Sequence, residues 1–247
     1  MVTGGSRGVG AATAKLLAQA GASVAIIYRI RRRDAEEVVA SIAEATATRP
    51  NPPRAVTFQG DLSNALDCRR VVDQTLAHLG RLDAFIANAG VWPPAEVGVK
   101  AMSDAQWRET VSTNLDSVFF GCRAALNILR PGGTIVVVSS TAGQRGEAFH
   151  ADYAATKGAL IAFVKSLAVE AAPAITVNCI APGWVDTEMA EPAFGGGGRE
   201  RIEASIPLRR IASPDDVAGP IVFLCSPLAR HVTGEVLNVN GGSVLCG

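Results

Sequence analysis

The sequence predicts an α/β fold: a doubly wound parallel sheet of about seven strands in a single domain. Three observations predict it. Short β-branched runs recur with helical stretches between them, and the order strand, helix, strand, helix persists along the chain. The runs are apolar nearly throughout rather than alternating, as strands covered by helices on both faces must be. With 247 residues, 48% hydrophobic and 19% charged, the chain has apolar surface for a large core and too little charge for disorder. No repeat of roughly 20–50 residues and no linker divides it.

The first strand is a stub, Met1-Val2-Thr3, about half the usual length. In a central position it leaves its neighbours' ladder groups unpaired, unless the chain starts upstream or the sheet tolerates the stub. A helix over 9–20 follows, read within an alanine-rich stretch that Lys15, Gln19 and Gly21 interrupt, so the stretch is a helix and turn rather than a leader. Strands are then expected at 23–28, 55–59, 82–87, 134–139, 175–180 and 235–239. Helices are expected at 34–47, 64–79, 103–129, 152–172 and 214–226. A small lobe is expected around 186–212. Within it, the glycines of 195–198 lose much backbone entropy on ordering, so 193–199 reads as a mobile flap.

Twenty-three basic and 23 acidic residues cancel, which removes the field that nucleic acid or an anionic membrane would answer to. Cys68, Cys122, Cys179, Cys225 and Cys246 are scattered and odd in number, against both a disulfide framework and a zinc site. A reducing cytoplasm is the expected setting. His78, His150 and His231 lack the spacing of helical metal ligands, so no metal is expected.

Three groups of residues carry chemistry. The turn Thr3-Gly4-Gly5-Ser6-Arg7-Gly8-Val9-Gly10 lies between a strand and a helix, where glycines let backbone N–H groups approach a pyrophosphate. Its spacing differs from the commoner dinucleotide fingerprint, and a plain turn is an equal reading. Tyr153 and Lys157 stand four apart on a helix, so phenol and ammonium share one face. A phenol titrates near ~10 in water, and a nearby cation lowers that by favouring phenolate. Ser140 follows a strand at the sheet edge where open α/β folds gather ligands, and it can donate to a carbonyl oxygen. Taken singly, Ser140 also reads as a turn cap and Asn114 as a helix residue bonded to backbone.

Together with Asn88-Ala89-Gly90, Asn114 and Pro182-Gly183, these motifs occur in the order seen in short-chain dehydrogenases/reductases, and the resemblance covers essentially the whole chain. Asp61-Leu62, Thr113-Asn114-Leu115 and Val239-Asn240-Gly241-Gly242 also resemble that family's pattern. The resemblance implies a seven-stranded Rossmann sheet, a nicotinamide cofactor and reversible reduction of a ketone to a secondary alcohol. It implies that Tyr153 donates the proton, Ser140 holds the carbonyl oxygen, Lys157 lowers the phenol pKa and holds the ribose, and Asn114 anchors a proton-supplying water chain. Gly4, Ser6, Arg7, Gly8, Val9 and Gly10 would then cradle the cofactor. Asn88, Ala89 and Gly90 would lie along it, with Asp61 and Leu62 near the adenine. Asp61 could equally cap the helix starting near Asn64. Pro182, Gly183, Val185 and Thr187 would contact the carboxamide, with Trp184 on the substrate side.

Tyr28 is followed by Arg29, and no carboxylate appears before Asp34. With Arg7, this points to NADP(H), because arginine accommodates a 2′-phosphate whereas an acidic residue would accept from a free ribose hydroxyl. Of Arg29, Arg31, Arg32 and Arg33, three are expected to form a solvated loop. Asn178, Ile206-Pro207-Leu208 and Pro214-Asp215-Asp216-Val217-Ala218 resemble 3-oxoacyl-acyl-carrier-protein reductases, which implies fatty acid biosynthesis. Arg123 and Arg130 are then candidates for docking an acyl carrier protein. Sugar, polyol or other secondary-alcohol dehydrogenation is the alternative, and a non-catalytic dinucleotide sensor the second. Small residues on several faces of the long helices imply a helical interface, and the resemblance implies a homotetramer built on it.

Overall fold

The computed structural model describes residues 1–245; Cys246 lies outside them. Seven parallel strands form one sheet in the order β3-β2-β1-β4-β5-β6-β7. They are β1 (Val2–Thr3), β2 (Val24–Tyr28), β3 (Ala55–Gln59), β4 (Leu82–Ala87), β5 (Leu129–Val138), β6 (Ile175–Pro182) and β7 (Val236–Val239). The direction of winding reverses between β1 and β4, and such a switch point opens a crevice at the carboxyl ends of the strands.

Each face of the sheet has its own core, which is why the strands read as unbroken apolar runs. In β2, Ala25 and Ile27 point to one side, with Val71 of α3 (Ala65–Leu79), Val118 of α5 (Ser117–Leu126) and Leu160 of α7 (Ala151–Ala171). Val24, Ile26 and Tyr28 point to the other, with Leu17 of α1 (Gly8–Gln19), Val38 of α2 (Arg32–Thr46) and Ile221 of α10 (Pro214–Leu224). The α10 helix starts at a reciprocal cap, in which the Ser213 hydroxyl accepts from the Asp216 N–H and the Asp216 carboxylate accepts from the Ser213 N–H.

The stub β1 is central, yet its neighbours are satisfied. Val2 pairs with both Ile26 and Ile86, and the flanking chain extends the ladder, with Gly5 N–H donating to Ile27 and Ile86 N–H to Met1. The Thr3 hydroxyl accepts from the N–H groups of Asn88 (2.9 Å) and Ala89 (3.0 Å). Side chain and turn thus replace ladder bonds that a longer strand would make.

Three expectations are corrected. The single helix over 103–129 is α4 (Asp104–Val111), a π-helical turn (Ser112–Asp116) and α5, and β5 already begins at Leu129. The flap is largely helical: α8 (Glu191–Phe194) and α9 (Gly198–Ser205) leave a short turn whose Gly196 and Gly197 have φ of +58° and +76°. Glycine is needed there because only it enters that region cheaply. At buried Gly198 a Cβ would stand 2.0 Å from the Ala193 carbonyl oxygen. Finally, the helix after β3 is capped by Asn64, which accepts from Leu66 and Asp67 N–H, and not by Asp61.

Candidate active site

A cleft of about 620 Å3 runs across the carboxyl ends of the strands, from the β2–α2 loop to the chain beyond β6. At one end, Gly4 and Gly8 adopt φ of +61° and +52° and bring the turn against its neighbours. A Cβ on Gly4 would lie 3.0 Å from Ala89 Cα, and one on Gly8 3.2 Å from the Thr187 methyl. Asn88 donates its amide to the Thr3 carbonyl at 2.9 Å and holds the turn in place. Helix α1 has no side-chain cap, so its first N–H groups are free to meet an anion.

The cleft already contains an anion between cations. Glu188 pairs with Arg7, and with Arg31 at 2.9 Å. Two guanidiniums from different elements converge on one carboxylate, a donor set that fits a phosphate equally well. Arg29 also lines this end, whereas Arg32 pairs with Glu36 along α2. Arg31, expected in a solvated loop, is therefore part of the cleft. Asp61 accepts from the N–H and hydroxyl of Ser63, and Leu62 is buried beside it at the cleft wall.

The other end holds Ser140, Tyr153 and Lys157. Ser140 is the N-cap of α6 (Thr141–Arg145), its oxygen accepting from Ala142 N–H at 3.1 Å, which leaves the hydroxyl proton for another acceptor. Tyr153 and Lys157 stand one turn apart on α7 and both line the cleft. The Lys157 ammonium lies 5.7 Å from the centre of the Tyr153 ring and donates to the Val138 carbonyl at 2.9 Å. The helix approaches α6 closely because Gly143 has no side chain; a Cβ there would stand 2.5 Å from the Lys157 carbonyl carbon.

Burial pushes the phenol up to about 12, with the Ser140 hydroxyl pulling it down and the Glu147 carboxylate adding to the rise. Burial lowers the Lys157 ammonium to about 8, with Cys179 opposing. Desolvation outweighs the Ser140 hydrogen bond, so the phenol's net shift is upward, with the Lys157 ammonium under the ring and turned to Val138.

Asn114, completely buried, lies behind the cleft wall. Its Oδ1 accepts from Val91 N–H (2.8 Å) and its Nδ2 donates to the Val91 carbonyl (2.9 Å), so the π-helical turn clasps the chain after β4. Gly90 passes between Asn114 and Lys157, where a Cβ would meet Oδ1 at 3.2 Å and Nζ at 3.4 Å. Gly10 also lies outside the cleft; a Cβ there would strike the Gly4 carbonyl oxygen at 2.3 Å, so its smallness serves packing of α1. Gly183, Val185 and Thr187 line the cleft with Pro182 and Trp184.

Sequence reasoning missed Asp152, Glu147 and Glu188. Asp152 accepts from the Thr110 hydroxyl (2.8 Å) and the Gln106 amide (3.1 Å), pinning α4 to the start of α7 beside Tyr153.

A family model described as enoyl-(acyl carrier protein) reductase matches residues 4–243. A short-chain dehydrogenase/reductase crystal structure from Brucella melitensis, described as glucose/ribitol dehydrogenase, superposes with a TM-score of 0.91 at 34% identity, covering 99% of this chain and 95% of that one. The chain belongs to the short-chain dehydrogenase/reductase family. A Burkholderia cenocepacia member of this family, crystallised in complex with NADP, matches with a TM-score of 0.89 at 35% identity, covering 98% and 96% of the two chains. A 3-oxoacyl-[acyl-carrier-protein] reductase of Synechocystis sp. is 34% identical over 249 residues, or 99% of this chain and 96% of the relative. As a short-chain dehydrogenase/reductase the protein is an oxidoreductase that binds a nicotinamide dinucleotide and acts on a small molecule. No helix among the described residues is long and apolar enough to cross a membrane.

Proposed function

We propose that the protein is an NADP(H)-dependent reductase that converts a ketone to a secondary alcohol, with a 3-oxoacyl thioester as the first substrate to test. One observation carries the reading: Ser140, Tyr153 and Lys157 meet in the same cleft as an uncapped helix start and two arginines that share one carboxylate. Gly4, Gly8 and the first turn of α1 would hold the pyrophosphate, and Arg7 with Arg29 and Arg31 the 2′-phosphate. The nicotinamide supplies hydride when bound.

The chain's own residues handle the proton. A phenol pushed up to about 12 stays protonated at neutral pH, so Tyr153 is poised to donate rather than to accept. Ser140 donates to the same carbonyl oxygen and fixes its position, since its own oxygen is already held by Ala142. As negative charge reaches the phenol, the Lys157 ammonium beside it gains attraction that was absent before transfer. Asn114 would act from behind the wall, through its hold on Val91, as the anchor of the water chain.

Oxidation of NADPH by an acetoacetyl thioester, compared with oxidation of a panel of secondary alcohols by NADP, tests this reading. Thioester reduction supports it. Turnover of polyols alone favours the sugar or polyol alternative, for which the Brucella relative's description speaks. NADPH binding without turnover of any substrate points to a sensor. Acyl carrier protein docking at Arg123 and Arg130 and a place in fatty acid biosynthesis follow only from the first outcome.

A homotetramer in the cytoplasm is part of the same reading. Phe119 on α5 is 42% exposed and Val169 on α7 is 79% exposed, on the helices expected to meet a second copy. Sedimentation equilibrium at micromolar concentration is expected to give four chains per particle, and a monomer would contradict the proposed assembly.

A further inference from the structure

Beyond the reacting pair, the cleft carries a second set of groups that proton transfer does not use. Trp92 and Trp184 line it with their rings edge to face, centres 6.0 Å apart at 79°. Glu147 lines it too, and its Oε1 accepts from the Trp92 indole N–H at 3.0 Å. His150 stacks on Trp92 at 4.5 Å, and its Nδ1 lies 3.4 Å from both Glu147 Oε1 and the Ala148 carbonyl oxygen. Its buried Nε2 has no hydrogen-bond partner. The Trp92 N–H and His150 Nδ1 both engage Glu147 Oε1 and aim the carboxylate. Arg145 lines the same cleft but makes no ion pair with Glu147 among the described residues.

We propose that Glu147, oriented by Trp92 and His150, is a specificity-determining residue that seats a cationic or hydrogen-bond-donating group of the substrate and turns away ketones bearing a carboxylate. The inference rests on the reading of Tyr153 and Ser140 as the reacting centre and narrows its substrate class. A carboxylate in a partly dry cleft attracts an ammonium and repels an anion more strongly than at an open surface. Indole faces add attraction for a cation and stack on a flat apolar body. A cation seated there also offsets the charge that opposes ionisation of Tyr153, so binding and proton transfer favour the same substrate.

Three ring ketones of similar size separate charge from shape: the N,N-dimethylpiperidinone cation, dimethylcyclohexanone and oxocyclohexanecarboxylate. The readout is the ratio of kcat/KM for the cation over that for the anion, in which intrinsic reactivity and loss of folded protein cancel between variants. Glu147→Gln is expected to lower this ratio by at least about fivefold, and Trp92→Phe, which removes the orienting N–H but keeps the ring, to lower it less. A smaller fall in Glu147→Gln, or a rise, overturns the inference. Failure of the wild type to reduce any of the three, and an acetoacetyl thioester as well, strikes the reductase reading instead. The same ratio is then taken from their dissociation constants with the NADPH-bound protein, and the same threshold decides.

Discussion

Tyr153→Phe is expected to lower kcat for ketone reduction by about 10²–10⁴-fold, the usual contribution of a positioned proton donor, while NADPH still binds. The substitution removes one oxygen and leaves the ring over Lys157, whose ammonium keeps its bond to Val138. Loss of one hydroxyl contact accounts for no more than about tenfold in cofactor affinity. A stopped-flow single-turnover measurement, with NADPH binding followed separately by fluorescence, divides the two effects. Full turnover in this variant would remove Tyr153 from the mechanism, and with it the reductase reading.

The same geometry fixes the direction of the pH dependence. A phenol raised by burial holds its proton across the neutral range, so its own ionisation does not limit reduction there. Lys157, lowered to about 8, loses its charge first as pH rises. The attraction that steadies the forming phenolate therefore fades on the alkaline side, and reduction weakens above about 8 rather than above 10. Oxidation of the alcohol needs the phenolate, and it gains from rising pH until Lys157 discharges.

The sheet was legible because burying a strand on both faces writes an uninterrupted apolar run into the chain: five such runs match their strands to within two residues, and the sixth misses the first five residues of β5, where Arg130, Pro131 and two glycines interrupt the apolar pattern. Break points inside helices leave no such trace. The turn at Ser112–Asp116 carries Asn114, whose partner Val91 lies 23 residues away, and hydrophobic periodicity does not record that contact. Ser140, Tyr153 and Lys157 were readable because two lie on one helix and one at a strand end. Glu188 was not: its partner Arg7 is 181 residues distant, and a surface glutamate in a polar lobe carries no local sign of it. Glu147 escaped for the same reason, its indole partner lying 55 residues earlier.

Replacing Arg7 by Ala together with Arg29 by Asp is expected to reduce the preference for NADPH over NADH by about a hundredfold or more, read as the ratio of kcat/KM values. Hydrogen bonds to a charged group contribute about 1.5–3 kcal/mol each, and every 1.4 kcal/mol is tenfold. The aspartate adds repulsion of the 2′-phosphate and an acceptor for a free ribose hydroxyl. Convergence of Arg7 and Arg31 on Glu188 adds a check that sequence alone did not offer. Their carboxylate partner sits among half-exposed side chains, where an ion pair is worth little and is readily exchanged. If the 2′-phosphate takes the place of that carboxylate, Glu188→Gln strengthens NADPH binding several-fold and NADH binding less, because only the phosphate competes for the arginines. Unchanged cofactor selectivity in the Arg7, Arg29 variant would show that these guanidiniums face solvent rather than the cofactor, whatever Glu188 does.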